Sequence, residues 1–354
     1  MIIKDVQVHY RNIPLLVPFK TALRQANEID SIEVEITLDN GIKGTGAAAP
    51  TVVITGDSTE SIMSVAAGPV KEALSGHDLR DFQGALKKVQ RCCTGNTSAK
   101  AAADIALYDA YSKWLNIPLY AYLGGQKNLR TSMTIGVDTP EKMAWDAEKS
   151  VESGFHLLKI KVGTYPEIDL ERIEAVRRAV PPDVKLRLDA NQAWEPKQAV
   201  QILQELEKKD FGIEFVEQPV RADDWEGLKF VTERTKLPVM ADESLFSAKD
   251  ALKLIAGRFA DLINIKLMKC GGISEAWKIA DIAEANGVKC MVGSMMEPSL
   301  SVAAAAHFAA AHPNVAYMDL DAPLWLSEEP DHLSYDGEDV LLSDQPGIGI
   351  VQPV

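Results

Sequence analysis

Leu157-Leu158-Lys159-Ile160-Lys161-Val162-Gly163 has the apolar density of a buried strand, yet it carries two lysines one residue apart. Alternation across a strand puts Lys159 and Lys161 on one face and Leu158, Ile160 and Val162 on the other. Two ammonium groups are thereby held side by side. Lysine is almost never fully buried unpaired, so the pair calls for water or for a cluster of carboxylates. Outward from this stretch, the chain from Thr131 onward alternates short apolar runs with helical segments. The runs centre at Ile135, Ile160, Leu188, Val216, Ala241, Ile265, Met291 and Met318, spaced by 24 to 28 residues, close to one βα unit each. Eight such units in series predict an α/β fold of the (β/α)8 (TIM) barrel type. An open doubly wound sheet is the alternative, and the count of eight disfavours it.

Ahead of the barrel, Ile2 to Tyr10 and Ser31 to Leu38 alternate as half-buried strands do, and Asn40-Gly41 signals a tight turn before Ile42 to Gly46. This reads as a small antiparallel sheet. Two connections, residues 18–30 (with Lys20, Arg24 and Gln25) and 49–56, are candidate lids. Asp57 with Glu60 resembles a capping box, and Ser98 precedes the periodic run Ala101 to Trp114. The expected organisation is an α+β capping domain over 1–120, the barrel over 121–322, and a segment 323–354 that returns to the capping domain. A chain of 354 residues accommodates a barrel of about 250 residues plus such a cap.

The formal charge of −14, from 37 Lys+Arg against 51 Asp+Glu, argues against nucleic acid or an anionic membrane as partner. Met1-Ile-Ile-Lys-Asp-Val has no basic segment leading into an apolar run, so no signal peptide is visible and a cytoplasmic location is expected. The uncharged stretch Pro298 to Met318 contains His307, His312 and Pro313, which suits a packed helix and a strand better than a bilayer span. Cys92, Cys93, Cys270 and Cys290 show no metal-binding spacing and are read as reduced thiols.

In such a barrel the active site lies at the carboxyl ends of the strands. Those ends are uniformly polar: Lys159 and Lys161; Asp189-Ala-Asn191; Glu217-Gln218; Asp242-Glu243; Asn264-Ile-Lys266; Asp319-Leu-Asp321. Asp189, Glu217 and Asp242 end three consecutive strands and converge three oxygens on one point, a set suited to a hard divalent cation such as Mg²⁺. Any one of them alone reads more readily as an ion pair or helix cap. Lys161 and Lys266, on strands two and six of eight, face each other across that point. A proton next to a carboxylate is a very weak acid, so its removal needs a stabilised enediolate and a base held at the carbon. A lysine serves if its pKa falls from about 10.4 towards about 7 or 8, roughly 4 kcal/mol, which a neighbouring ammonium and Mg²⁺ can supply. For Lys266 a structural ion pair is the bland alternative. None of the six histidines ends a predicted strand, so a histidine base is not expected. Gly271-Gly272 is too common a pair to mark a phosphate loop, and Met291 to Met296 reads as core and pocket wall.

Lys159-Ile-Lys161, Asp189-Ala-Asn191, Glu217-Gln-Pro219, Ala-Asp242-Glu243 and Asn264-Ile-Lys266 together resemble the enolase superfamily, in its muconate-lactonizing-like subgroup. The match spans essentially the full chain. Asp319-Leu-Asp321 resembles the Asp-x-Asp signature of dipeptide epimerases, whose carboxylates hold the substrate's α-ammonium group. Phe19-Lys-Thr-Ala-Leu-Arg24 and Thr51-Val-Val-Ile54-Thr-Gly56 resemble the capping loops of L-Ala-D/L-Glu epimerases, which implies that Arg24 pairs with a glutamate side chain. The resemblance implies a Mg²⁺-dependent isomerase acting on a small dipeptide, with one Mg²⁺ per subunit held by Asp189, Glu217 and Asp242. It assigns Lys161 and Lys266 as bases, with Lys159 as assistant. It further implies substrate contacts at Thr134, Ile54 and Ser294, a homo-oligomer, and a setting in murein peptide recycling. N-acylamino-acid racemisation, o-succinylbenzoate synthesis and muconate cycloisomerisation use the same lysines and ligands and remain alternatives, as does a silent binding barrel.

Overall fold

The computed structural model describes residues 1–23, 25–125, 128–327 and 332–349. Strands β1 (Ile3–Lys20), β2 (Gln25–Leu38) and β3 (Lys43–Ala48) form an antiparallel sheet in that order. The β1–β2 hairpin is far longer than its alternating stretches suggest: pairing runs from Ile3↔Leu38 to Lys20↔Gln25, so most of 18–30 is strand rather than loop. Pro14 and Pro18 read as breakers in sequence. As an edge strand β1 tolerates them, with a register shift between Pro14 and Phe19. Leu16 and Val17 are 63% and 54% exposed there, so no buried face marks the strand.

The Ala-rich helix Thr97–Leu115 packs on this sheet, and the contact demands glycine: a Cβ on Gly46 of β3 would lie 2.1 Å from the Ala102 carbonyl oxygen. Ser98 is not the cap of this helix. Its backbone N–H instead donates to Asp57 Oδ2 at 2.9 Å, so Asp57 closes the helix start from a distance. The capping box expected at Asp57 and Glu60 is built one residue later by Ser58 and Ser61.

After β4 (Leu129–Arg130), eight parallel strands follow in unbroken sequence order: β5 (Met133–Ile135), β6 (Leu157–Lys161), β7 (Lys185–Asp189), β8 (Ile213–Glu217), β9 (Val239–Ala241), β10 (Leu262–Ile265), β11 (Lys289–Gly293) and β12 (Val315–Asp319). Every one contains the centre expected from the sequence. The ring closes between β12 and β5 through side chains: Leu320 N–H donates to Thr131 Oγ1 at 2.7 Å, Ser132 Oγ to Asp319 Oδ1 at 3.0 Å, and Thr134 N–H to Asp321 Oδ2 at 2.8 Å.

Seven units end in an outer helix, whereas β12 runs into a single 3₁₀ turn, Ala322–Trp325. The chain continues instead as the hairpin β13 (Leu333–Asp336) and β14 (Asp339–Leu342), which pairs with β4. Pro298 to Met318 is a buried helix, Ser299–Ala311, and most of β12, as its composition suggests. Among the described residues no helix is long and apolar enough to cross a membrane.

The barrel interior is filled below its mouth. Phe215, Met240, Leu262 and Met291 form a cluster, and the Arg187 guanidinium sits 5.3 Å from the Phe215 ring centre and 5.4 Å from that of Tyr317. Arg187 also donates to Glu214 Oε2 and to the Met318 carbonyl, so its charge is neutralised and the plug is rigid. Whatever happens chemically must happen above this layer.

A histidine joins three distant segments. His307 is fully buried, accepts from the Tyr120 N–H at Nδ1 (3.0 Å), meets the Ile348 carbonyl with Nε2 (3.1 Å) and stacks on Tyr120. That set requires the neutral tautomer protonated on Nε2. Burial pushes its pKa down to about 4. Because the unfolded chain takes the proton near pH 6.5 and the native state only near 4, stability from this group is complete above about 6.5, is lost as pH falls between these values, and changes no further below 4. The loss amounts to about 3 kcal/mol. Urea unfolding of wild type and His307→Gln at pH 7, 5.5 and 4 tests this: the stability advantage of the wild type should shrink steadily towards pH 4, and a constant difference would contradict it.

Candidate active site

Parallel register aligns the polar ends of the strands. Lys161 pairs with Asp189 and Asp189 with Glu217, so a lysine and two carboxylates stand at one level on β6, β7 and β8. Asp242 follows β9 by one residue, and its height is set by Gln218. That side chain accepts from the Asp242 and Ser244 N–H groups and donates to the Val220 carbonyl and Ser244 Oγ. Lys266 directly follows β10, four positions round the ring of eight from β6. Strand alternation directs Lys159 and Lys161 inward and leaves Leu158, Ile160 and Val162 fully buried in the outer core.

The lysines are paired with carboxylates, as their burial demands. Lys159 Nζ lies 3.0 Å from Asp189 Oδ2, 2.8 Å from Glu217 Oε2 and 2.7 Å from Asp319 Oδ2. Lys161 Nζ is 2.5 Å from Asp189 Oδ2, and Lys266 Nζ is 2.7 Å from Asp242 Oδ2. Carboxylates outnumber ammoniums here, and the electrostatics register the surplus. Burial opposes the charge on Lys159 and Lys266, yet facing carboxylates more than offset it and raise both pKa values above the ordinary range. This departs from the expected lowering: for Lys266, Asp242 and Glu217 outweigh the repulsion from Lys159. Burial likewise works against the charge on Asp189 and Asp242, but the lysines hold both below the usual carboxylate range. The excess falls on the other two acids. Burial and the Asp189 charge push Glu217 up to about 8, and burial and the Asp242 charge push Glu243 up to about 7.

Asp189, Glu217 and Asp242 offer the hard oxygen donors that a divalent cation takes. One oxygen of each carboxylate is anchored by a fixed donor: Asp189 Oδ1 by the Asn191 N–H (2.9 Å), Glu217 Oε1 by Asn264 Nδ2 (2.7 Å), and Asp242 Oδ1 by Lys269 Nζ. The other oxygens, Asp189 Oδ2, Glu217 Oε2 and Asp242 Oδ2, are the ones beside Lys159, Lys161 and Lys266. Asn191 Oδ1 and Glu243 Oε2 are buried without a hydrogen-bond partner, and Glu217 Oε2 meets the Lys159 ammonium at 2.8 Å. Hard oxygen donors and surplus negative charge suit Mg²⁺.

Lys159, Lys161 and Lys266 line one cavity together with Asp319, Asp321, Thr134, Ile54 and Ser294, so every described residue expected to touch substrate borders it. Arg24 lies outside the described residues, although its neighbours Thr21 and Leu23 line the same cavity. Asp319 is already engaged by Ser132 and Lys159. Asp321 accepts from the Thr134 N–H and from Trp325 Nε1, and burial with the Asp319 charge raises its pKa to about 6. Met295 and Met296 form cavity wall while Met291 belongs to the plug below.

Lys269 was invisible in sequence as a site residue, set in the apolar run Leu267-Met268-Lys269-Cys270. A lysine three residues after Lys266 on a helical turn was the available signal. Gly271 and Gly272 have a packing role: both have positive φ, and a Cβ on Gly272 would lie 2.5 Å from Asp104, which accepts from Ser274 Oγ at 2.5 Å at the start of helix Ile273–Ala285. Asp281, Glu284 and His312, the set of metal-binding residue types whose ligand atoms lie within 4.8 Å of one another among the described residues, are different. His312 Nδ1 accepts from the Asn314 N–H, so Nε2 carries the proton and donates to Asp281, offering no lone pair.

Residues 3–124 match the mandelate racemase / muconate lactonizing enzyme N-terminal domain, and residues 142–352 match the enolase C-terminal domain-like family. The chain belongs to the enolase superfamily. Within that superfamily it is 47% identical over 353 residues to the L-Ala-D/L-Glu epimerase of Clostridium acetobutylicum, covering 99% of each chain. Its fold superposes with a TM-score of 0.97 on the substrate-liganded L-Ala-D/L-Glu epimerase from Bacillus subtilis, at 48% identity and 99% coverage of both. It superposes with a TM-score of 0.95 on the Enterococcus faecalis dipeptide epimerase complexed with Mg and L-Leu-L-Tyr, at 42% identity, covering 99% of this chain and 100% of that one.

Proposed function

We propose that this protein is a Mg²⁺-dependent dipeptide epimerase, with L-Ala-D/L-Glu as favoured substrate, that inverts the α-carbon of the C-terminal residue by proton transfer between two lysines. The observation that carries this reading is that Lys161 and Lys266, at strands four positions apart in the ring of eight, border one cavity. A base on one side only removes a proton; a second on the opposite face returns one with inverted configuration.

Asp189, Glu217 and Asp242 would hold the cation. When bound, Mg²⁺ would offset the carboxylate charge that raises the Lys266 pKa and supply positive charge where the enediolate develops. Lys161 or Lys266 takes the α-proton onto Nζ while the other, as ammonium, stands ready to deliver one. Lys159, held between Asp189, Glu217 and Asp319, adds fixed positive charge beside the substrate carboxylate and beside Lys161. The substrate's α-ammonium is met by Asp321, with Asp319 alongside. An acid buried to this degree is costly without a cationic partner, which favours a substrate with a free amine over the N-acylated or amine-free substrates of the rival reactions. Phe19, Leu23, Val53, Ile54, Met295 and Met296 enclose the cavity and exclude water from the carbanion.

Preference for Ala-Glu rests on the relatives and on the Phe19 to Arg24 segment, where an arginine is a suitable partner for a side-chain carboxylate. The same reading divides the chain into a capping unit over 1–120, a catalytic barrel over 121–322 and a closing segment over 323–354. It also places a homo-oligomer in the cytoplasm, in turnover of murein peptides.

Incubation with Mg²⁺ and a set of L,L-dipeptides in D₂O, followed by mass gain at the α-carbon, tests substrate class and preference together. Ala-Glu should exchange fastest; equal or faster exchange of hydrophobic or cationic dipeptides would remove the Ala-Glu preference, and exchange of none would sink the enzyme reading. A second expectation concerns pH. Asp321, raised to about 6, is ionised above that value and protonated below it. KM for a dipeptide should therefore rise by roughly tenfold per unit as pH falls below about 6. Asp321→Asn should have a high KM throughout with this step removed, and an unchanged profile in the variant would exclude the role.

A further inference from the structure

Lys269 is buried at the barrel mouth, 1% exposed, and the reaction above gives it no task. It sits on the single helical turn Leu267–Cys270, directly after Lys266. Its ammonium donates to the Asp242 carbonyl oxygen, to Asp242 Oδ1 and, at 3.1 Å, to the Asn264 carbonyl oxygen. Three N–H groups meet three acceptors, so none is left for a substrate, and Lys269 does not border the cavity.

We propose that Lys269 is a positioning residue that locks the Asp242 carboxylate, keeping Oδ2 aimed at the cation and at Lys266. The proposal rests on Asp242 being a cation ligand, as set out above. A carboxylate on a strand end turns freely about its last bond, and only the oxygen facing the ring can bind the ion. Lys269 fixes that rotation by holding the outer oxygen, and it fixes the backbone beneath by holding the Asp242 carbonyl. Its third bond ties this arrangement to Asn264, whose Nδ2 holds the outer oxygen of Glu217. The end of β10 and the turn after it thus orient two ligands that belong to two other strands, β8 and β9. A neutral donor of the same length cannot satisfy three acceptors at one point. Arginine keeps the charge, but its planar fork spreads its donors apart.

The test is calorimetric titration of Mg²⁺ into wild type, Lys269→Met and Lys269→Arg, without substrate, with the Mg²⁺-induced rise in Tm as a second readout. Loss of a partner that orients a ligand weakens metal binding by about 10- to 100-fold. Lys269→Met should show a loss in that range, with a smaller rise in Tm, and Lys269→Arg, the variant expected to fold if the Met variant does not, should show a smaller loss. In turnover, the Mg²⁺ concentration for half-maximal rate should rise while kcat at saturating Mg²⁺ stays within a few-fold of wild type. Wild-type Mg²⁺ affinity in any variant shown by circular dichroism to be folded overturns the proposal, as does a kcat lost beyond recovery by Mg²⁺. A wild type that binds Mg²⁺ but epimerises no dipeptide would refute the functional reading and leave this inference intact.

Discussion

The organising constraint is the burial of lysines against carboxylates at the carboxyl ends of adjacent parallel strands. Four lysines, Lys159, Lys161, Lys266 and Lys269, are each no more than 6% exposed. Such charges are tolerated only when paired with good geometry, and removing one partner leaves an uncompensated charge worth several kcal/mol. Pairing in turn depends on register: a slip of one residue on β6 would send both lysines outward and Ile160 inward. The apolar plug around Arg187 and Phe215 and the brace from Gln218 both serve this alignment, one from below and one between strands.

Surplus negative charge follows from the same arrangement. The ring holds more carboxylates than ammoniums, and burial together with the neighbouring carboxylates raises the pKa values of Glu217 and Glu243. Anchoring one oxygen of each ligand from outside the ring leaves the other directed inward. In the proposed reaction metal binding and lysine basicity are one problem: a cation held by these carboxylates would also weaken the field that raises the pKa values of Lys159 and Lys266.

Much of this was legible in the residues. The paired lysines of β6 predicted carboxylates, the regular spacing of apolar runs located all eight strands, and the polar strand ends included Lys159, Lys161, Asn191, Lys266, Asp319 and Asp321, which line the cavity. What stayed hidden had physical causes. The β1–β2 hairpin runs past Pro14 with exposed Leu16 and Val17, so no alternation advertised it. The eighth unit lacks its long outer helix because the chain after Ala322–Trp325 joins β4 instead. Lys269 looked apolar by context, since three-point pairing with Asp242 and Asn264 exists only once β9 and β10 are side by side. Asp104 at the start of helix Ile273–Ala285 is a contact of the same kind, 170 residues apart in sequence, and Gly272 records it only as a missing side chain.

The claim on which the account turns is that Lys161 and Lys266 work on opposite faces of one carbon. Its most direct test is α-proton exchange in D₂O by Lys161→Ala and Lys266→Ala, each given the L,L and the L,D epimer of Ala-Glu separately and followed by proton NMR. Each variant should fail to interconvert the epimers yet still exchange the proton of one of them, and the two variants should retain opposite epimers. Epimerisation by either variant, or retention of the same epimer by both, would contradict a two-lysine inversion.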